Sequence, residues 1–209
     1  MKNSQIKERP IIFSGAMVRA ILDGKKTQTR RVIKPQPPHS ITSIKKGTGG
    51  FYFFGYCGDK WDYSLAPWER RCPYGQSGDR LWVRETAYIS PQGFGDIYDC
   101  THSDYDNRGR IVAYCADYPT GRNDAAEDYG VKKTPSIFMP RWASRIMLEI
   151  TDVRVERLQQ IGGTDAWAEG ELTVRQFIEL WDSLNAKRGF GWEQNLWVWI
   201  IDFVKETPE

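Results

Sequence analysis

The sequence predicts one α+β domain, residues 1–209: a small mixed or antiparallel β-barrel with helices packed outside it and two long loop insertions. Three observations point there. Strand-like segments outnumber helical ones and are spread along the whole chain. The gaps between strands are mostly loops, not the crossover helices that a parallel sheet requires. The last element, residues 196–204, is apolar on both faces, as a central buried strand must be.

The elements follow in order. Residues 9–13 read as a short strand. Ser14 can cap a helix that ends at Asp23, with Gly24 stopping it and Met17 and Ile21 on one face. Residues 27–33 alternate and are β-branched, so they predict a strand, stopped by Pro35, Pro37 and Pro38. Residues 34–77 form the first insertion, with a short aromatic strand at 51–56. Residues 80–89 predict one continuous strand entered from Gly78 and Asp79. Residues 91–139 are the second insertion, with a strand at 110–116.

Residues 145–158 predict a long strand, bent or bulged near Asp152. Two helices follow. Thr164 can cap the first, which runs to Glu169 and stops at Gly170. Thr173 caps the second, and Gln176 completes a capping box; Val174, Phe177, Trp181 and Leu184 line one face.

Charge is unevenly placed. The total is +2, but residues 1–46 hold eleven Lys or Arg against Glu8 and Asp23, a net +9, and the remainder carries −7. A basic end on an acidic protein suits a polyanionic partner, and also suits a merely solvated surface. No run of about 18 apolar residues predicts a membrane span. Residues 1–10 are polar and do not read as a signal peptide. Cys57, Cys72, Cys100 and Cys115 form no CxxC pair, which argues against a zinc ribbon and for free thiols in a reducing cytoplasm. Cys100 and His102 lack further ligands at familiar spacing. The acidic loop at Asp96, Asp99, Asp104 and Asp106 lacks an EF-hand pattern. No metal and no organic cofactor is expected.

Three stretches together resemble the ASCH superfamily, whose fold is similar to the PUA barrel. The first is Gly24, Lys25, Lys26, Thr27, Gln28, Thr29, Arg30, Arg31 behind a short helix. The second is Gly78, Asp79, Arg80, Leu81, Trp82, Val83, Arg84, Glu85, Thr86. The third is the long strand at 145–158 with the helices and final strand after it. The chain also resembles phage and prophage proteins of this superfamily at residues 10–35 and 139–145 and in its Trp-rich C-terminus. The octet is weak alone and more specific in this order.

The resemblance implies an RNA-binding, PUA-like barrel. Some members resemble amidohydrolases that remove an acyl group from N4 of cytidine. Their working residues fall here on Lys26, Thr29 and Glu169, and the signature arginine on Arg31. Such chemistry needs these residue types. A threonine hydroxyl is a weak nucleophile until a base takes its proton. A desolvated lysine can do so, or can stabilise an oxyanion if charged. A carboxylate can hold the lysine or protonate the leaving amine. In an ideal strand Lys26 and Thr29 face opposite ways, so they converge only if the chain is still turning after Gly24 or bulges.

The first reading is therefore binding of RNA or a modified nucleotide in a basic cleft, with Arg19, Lys25, Lys26, Arg30, Arg31 and Lys34 around one mouth of the barrel. Phe51 to Tyr56 and Trp61 to Trp68 are the stacking candidates, while Trp181, Trp197 and Trp199 belong to the core. Hydrolysis of an N4-acylated cytidine is the second reading. A phage-encoded adaptor that binds a host protein through the insertions is the third. On the plainest view, the basic residues make a strand edge and Thr29 only packs. Glu85 is a reserve for the acidic role, though a buried ion pair with Arg145 or Arg141 suits it better.

Overall fold

The computed structural model describes residues 6–37, 41, 43–47, 50–55, 68–90, 104–105, 111–118, 131 and 133–206. It is a mixed α+β structure with three sheets. The first has five strands in the order β1 (Glu8–Ile12), β6 (Arg80–Arg84), β11 (Met147–Arg157), β12 (Trp197–Lys205) and β2 (Gln28–Val32). β1 runs parallel to β6, and the other pairs are antiparallel.

β12 is central, as its apolar sequence predicts. Trp199, Ile201 and Phe203 enter the main core with Phe13, Leu81 and Ile150, while Val198 and Ile200 meet a second cluster around Phe177 and Trp181. The predicted irregularity near Asp152 is a register shift between Ile150 and Asp152. It resets the alternation, so that Leu148 and Ile150 before it and Val153 after it all reach the main core.

Helix α1 (Gly15–Leu22) starts at Ser14, whose hydroxyl accepts from the Met17 amide. Helix α2 (Gly163–Ala168) begins two residues earlier than a Thr164 cap would place it. Gly162 is its cap, and its carbonyl accepts from Ala166 at 3.0 Å. Helix α3 (Val174–Asn185) carries the Thr173–Gln176 capping box. Phe177 and Trp181 are buried, whereas Leu184, at the end of the predicted apolar face, is exposed.

Three expectations need correction. No closed barrel exists among the described residues, because β1 and β2 remain the two edges of the first sheet. The first insertion holds more than the one strand expected at 51–56, which is β4 (Phe51–Gly55). β3 (Ser43–Lys46), β4 and β5 (Trp68–Arg71) form an antiparallel sheet that delivers Tyr52 into the main core, where its hydroxyl donates to the Val153 carbonyl. The strand predicted over 80–89 is two strands, β6 and β7 (Ala87–Ser90). Glu85 breaks it: its amide donates to Met139 Sδ instead of to a ladder, and its carboxylate accepts from Arg145. β7 then joins β8 (Asp104–Tyr105), β9 (Ile111–Tyr114) and β10 (Lys133–Thr134) in a third sheet within the second insertion.

Candidate functional site

Gly24, at φ 73°, turns the chain out of α1, and the Lys25 and Lys26 amides both donate to the Ala20 carbonyl. Lys26 thus lies before β2, in an isolated bridge to Glu169. Strand parity does not bind it. Its Nζ lies 5.8 Å from the centre of the Phe13 ring, and the Arg31 guanidinium lies 5.0 Å from the same ring. Thr29 shares the Arg31 face of β2, and both line the same cleft.

Lys26 Nζ donates to the Glu169 carboxylate at 2.6 Å and to the Glu169 carbonyl at 2.9 Å. Glu169 is presented as the C-terminal cap of α2. Burial pushes the Lys26 ammonium below its ordinary value; Glu169 opposes this, and Arg31 and Arg30 add to it. Arg30, on the opposite face of β2, donates to Asp165 at 2.8 Å and reaches Glu169 at 3.5 Å. Gln28 completes this set: it bonds Asp165 at 3.2 Å and Asp202 at 2.7 Å and accepts from Arg30. Arg154 joins from β11, with Asp165 at 3.0 Å and Asp202 also in contact.

A cleft of about 660 Å³ opens here, at the gap between β1 and β2. Arg31 spans the gap, and its Nη2 donates to the Ile12 carbonyl at 2.7 Å. Thr29, with only 3% of its surface exposed, and Glu169 both line the cleft. Lys26 does not line it; it stands behind the Glu169 carboxylate with its side chain fully buried. Six basic residues line the cleft: Arg30, Arg31, Lys34, Arg70, Arg71 and Arg188. Glu169 is the single acid among the described lining residues. The Nε atoms of Arg30 and Arg31 are buried without a hydrogen-bond partner among the described residues.

The predicted basic set divides. Arg30, Arg31 and Lys34 belong to the cleft and Lys26 to its support. Lys25 pairs with Glu171 at 3.1 Å and Arg19 donates to the Ala116 carbonyl; neither lines the cleft. Arg70, Arg71, Arg188 and Tyr74 also line the cleft and were not singled out from the sequence. The signal was the Trp68, Glu69, Arg70, Arg71 run, in which aromatic and basic residues adjoin. Glu85 is bonded to Arg145 and not to Lys26. It is 1% exposed and forms a two-point ion pair with Arg145, at 3.0 and 3.1 Å, while Arg141 pairs with Glu8. Trp181, Trp197 and Trp199 are buried, as core residues should be, and Phe51 and Phe53 are half-buried. Trp61, His102, Cys57 and Cys100 lie outside the described residues, as do Asp96, Asp99 and Asp106.

Among the described residues, no three His, Cys, Asp or Glu side chains are grouped to hold a metal ion, and no helix is long and apolar enough to cross a membrane. No protein-family model matches the chain, and no curated protein matches it. It is similar to the crystal structure of protein EF3133 from Enterococcus faecalis V583, family model DUF984. The identity is 8% and the TM-score 0.40, over 99% of this chain and 86% of that one. A likeness of that degree assigns no function.

Proposed function

We propose that this chain is a PUA-like protein of the ASCH type that binds RNA or a modified nucleotide in the cleft between β1 and β2. The carrying observation is the charge of the lining: six basic residues and one acid, from β2, β5 and the end of α3, facing one concavity. A concave site with one sign of charge concentrates an anionic ligand. Tyr74, half-buried in the lining, offers a face for a base. The test is a binding titration with single-stranded RNA of mixed sequence at increasing salt. Phosphate contacts release counterions, so the affinity must fall steeply with salt. Weak binding that ignores salt would remove the reading.

A second reading, hydrolysis of an N4-acylated cytidine, is favoured by one specific observation. Thr29 and the Glu169 carboxylate line the cleft together, and the desolvated Lys26 stands directly behind that carboxylate. In that reaction Thr29 Oγ bonds to the acyl carbon as the C–N4 bond breaks. The hydroxyl proton passes through Lys26 and Glu169 to the leaving amine, and water then hydrolyses the threonine ester. Incubation with N4-acetylcytidine, followed by chromatography for cytidine, tests it. Turnover lost in both Lys26→Ala and Thr29→Ala supports hydrolysis; no turnover at high protein concentration leaves binding alone.

A further inference from the structure

Three cations of the cleft are held by aromatic faces instead of carboxylates. The Arg31 guanidinium lies 5.0 Å from the Phe13 ring centre and 5.9 Å from that of Tyr74. Lys34 Nζ lies 4.4 Å over Phe190. Arg71 lies 3.6 Å over Phe51, its cross-strand neighbour. Among the described residues, none of the three has a carboxylate at ion-pair distance. Away from the cleft carboxylate partners are common, although Arg84 and Arg157 lie over the Trp82 and Trp197 rings and donate to main-chain carbonyls. Arg9, Arg80, Arg141, Arg145 and Arg154 each meet an acid, at Asp79, Glu206, Glu8, Glu85 and Asp202.

The distinction has a physical meaning. A carboxylate partner orients a cation and cancels its charge. An aromatic ring orients it through the ring quadrupole and leaves the charge available. Like charges gathered in one concavity repel one another, and a buried guanidinium nitrogen without a partner adds to that cost. An arrangement that orients three cations and neutralises none is suited to an anion that arrives from outside. Arg71 adds a planar fork that matches phosphate oxygens, and Arg31, with Nη2 held by the Ile12 carbonyl, adds its charge.

We propose that Arg31, Lys34 and Arg71 form a phosphate-binding rim, so that the ligand of the cleft is a phosphorylated nucleotide and not a neutral nucleoside. This rests on the nucleotide reading above. The phosphate is the monoester of a single nucleotide or the diester of a strand; both present the same oxyanion to the rim.

Calorimetry on the full chain distinguishes the cases, using the four nucleosides, their 5′-monophosphates and a single-stranded RNA hexamer. At least one monophosphate or the hexamer should bind tenfold or more tightly than any nucleoside. Arg71→Gln and Lys34→Gln alter exposed side chains, and each should weaken that binding about tenfold, the usual worth of a charged hydrogen bond, leaving nucleoside binding unchanged. Phe51→Leu removes the ring under Arg71 without touching the charge, and should cause a smaller loss in the same direction. If the hexamer binds where monophosphates do not, its log–log salt slope should be about −2 and fall by about 0.7 in each variant, which assigns the phosphate to a strand. Nucleoside and monophosphate binding equally, or phosphate ligands indifferent to both variants, overturns the rim and leaves the cleft reading standing. No binding of any of these ligands overturns both.

Discussion

Lys26 and Glu169 are 143 positions apart in sequence, yet the Lys26 ammonium is bonded to both the carboxylate and the main-chain carbonyl of Glu169. The two partners are not equivalent. Glu169 also has Arg30 at 3.5 Å, whereas among the described residues Lys26 has Glu169 alone as an acidic contact. Removing the acid strands a buried ammonium, which costs about 3–5 kcal/mol. Removing the lysine leaves Glu169 with a second cation. Urea denaturation should therefore find Glu169→Ala less stable than Lys26→Met. The opposite order would show that the carboxylate, not the ammonium, is the costly buried charge.

Lys26 should also imprint a pH dependence. Its pKa in the folded chain lies below 10.5, chiefly through burial. Between the lowered value and 10.5 the unfolded chain holds the proton that the folded chain has released. Stability contributed at this site must then rise with pH through that window. The stability of the wild type, less that of Lys26→Met, is expected to increase from pH 8 towards pH 10. A difference that stays flat or falls would mean that the ammonium keeps its proton inside the fold.

Thr29 separates binding from hydrolysis. Val keeps the β-branched shape that suits β2 and removes only the hydroxyl; Ser keeps the hydroxyl. Thr29→Val should change stability by no more than about 1.5 kcal/mol, the net worth of a hydrogen bond. If the cleft hydrolyses an acylated cytidine, Thr29→Val abolishes cytidine release and Thr29→Ser retains part of it. If the cleft only binds, both variants hold RNA within tenfold of the wild type, measured by the same titration.

Much of this was legible in the residues. Ser14, Gly24, Thr173 and Gln176 act locally, and the structure uses Ser14, Thr173 and Gln176 as caps and Gly24 as a turn. The two-faced apolar run of β12 announces its central place. The meeting of Lys26 with Glu169 was legible only through a family resemblance, because no local rule joins residues so distant. The break at Glu85 was hidden: residues 80–89 have unbroken strand propensity, and a tertiary ion pair with Arg145 overrides it. Arg71 in the cleft was missed for the same reason. Its position depends on a sheet built inside the first insertion, where irregular sequence was expected.

The cysteines provide a chemical check on the core. Burial pushes the Cys72 thiol up to about 11. At pH 8 nearly all of it is the unreactive protonated form, and its side chain is enclosed in the main core. Iodoacetamide at pH 8 should label Cys72 in urea and spare it in the native protein, as read by peptide mass spectrometry. Rapid native labelling would mean that the packing of β5 and the turn after it against the core opens readily.

Asp165 holds the helix that presents Glu169. It accepts from Gln28, Arg30 and Arg154, at 3.2, 2.8 and 3.0 Å, and so ties α2 to β2 and β11. Burial alone would raise its pKa, but the Gln28 hydrogen bond and the charges of Arg30 and Arg154 hold it below 3.8. Its stabilising contribution is therefore present above 3.8 and is lost as pH falls through the lowered value. Asp165→Asn keeps the shape and removes the charge. It should cost about 2 kcal/mol or more near pH 7, since several charge-assisted bonds weaken together, and the gap to the wild type should narrow as the pH falls below 4. A merely structural loss would spread over the molecule. A positioning role predicts instead that the amides of Glu169, Gly170 and Leu172, which close the end of α2, exchange with solvent faster in Asp165→Asn, while those of β6 do not change. Ligand affinity should drop with them, although Asp165 does not line the cleft. Unchanged exchange at Glu169 together with reduced affinity would mean that Asp165 acts through the charge of Arg30 and not through the placement of the helix.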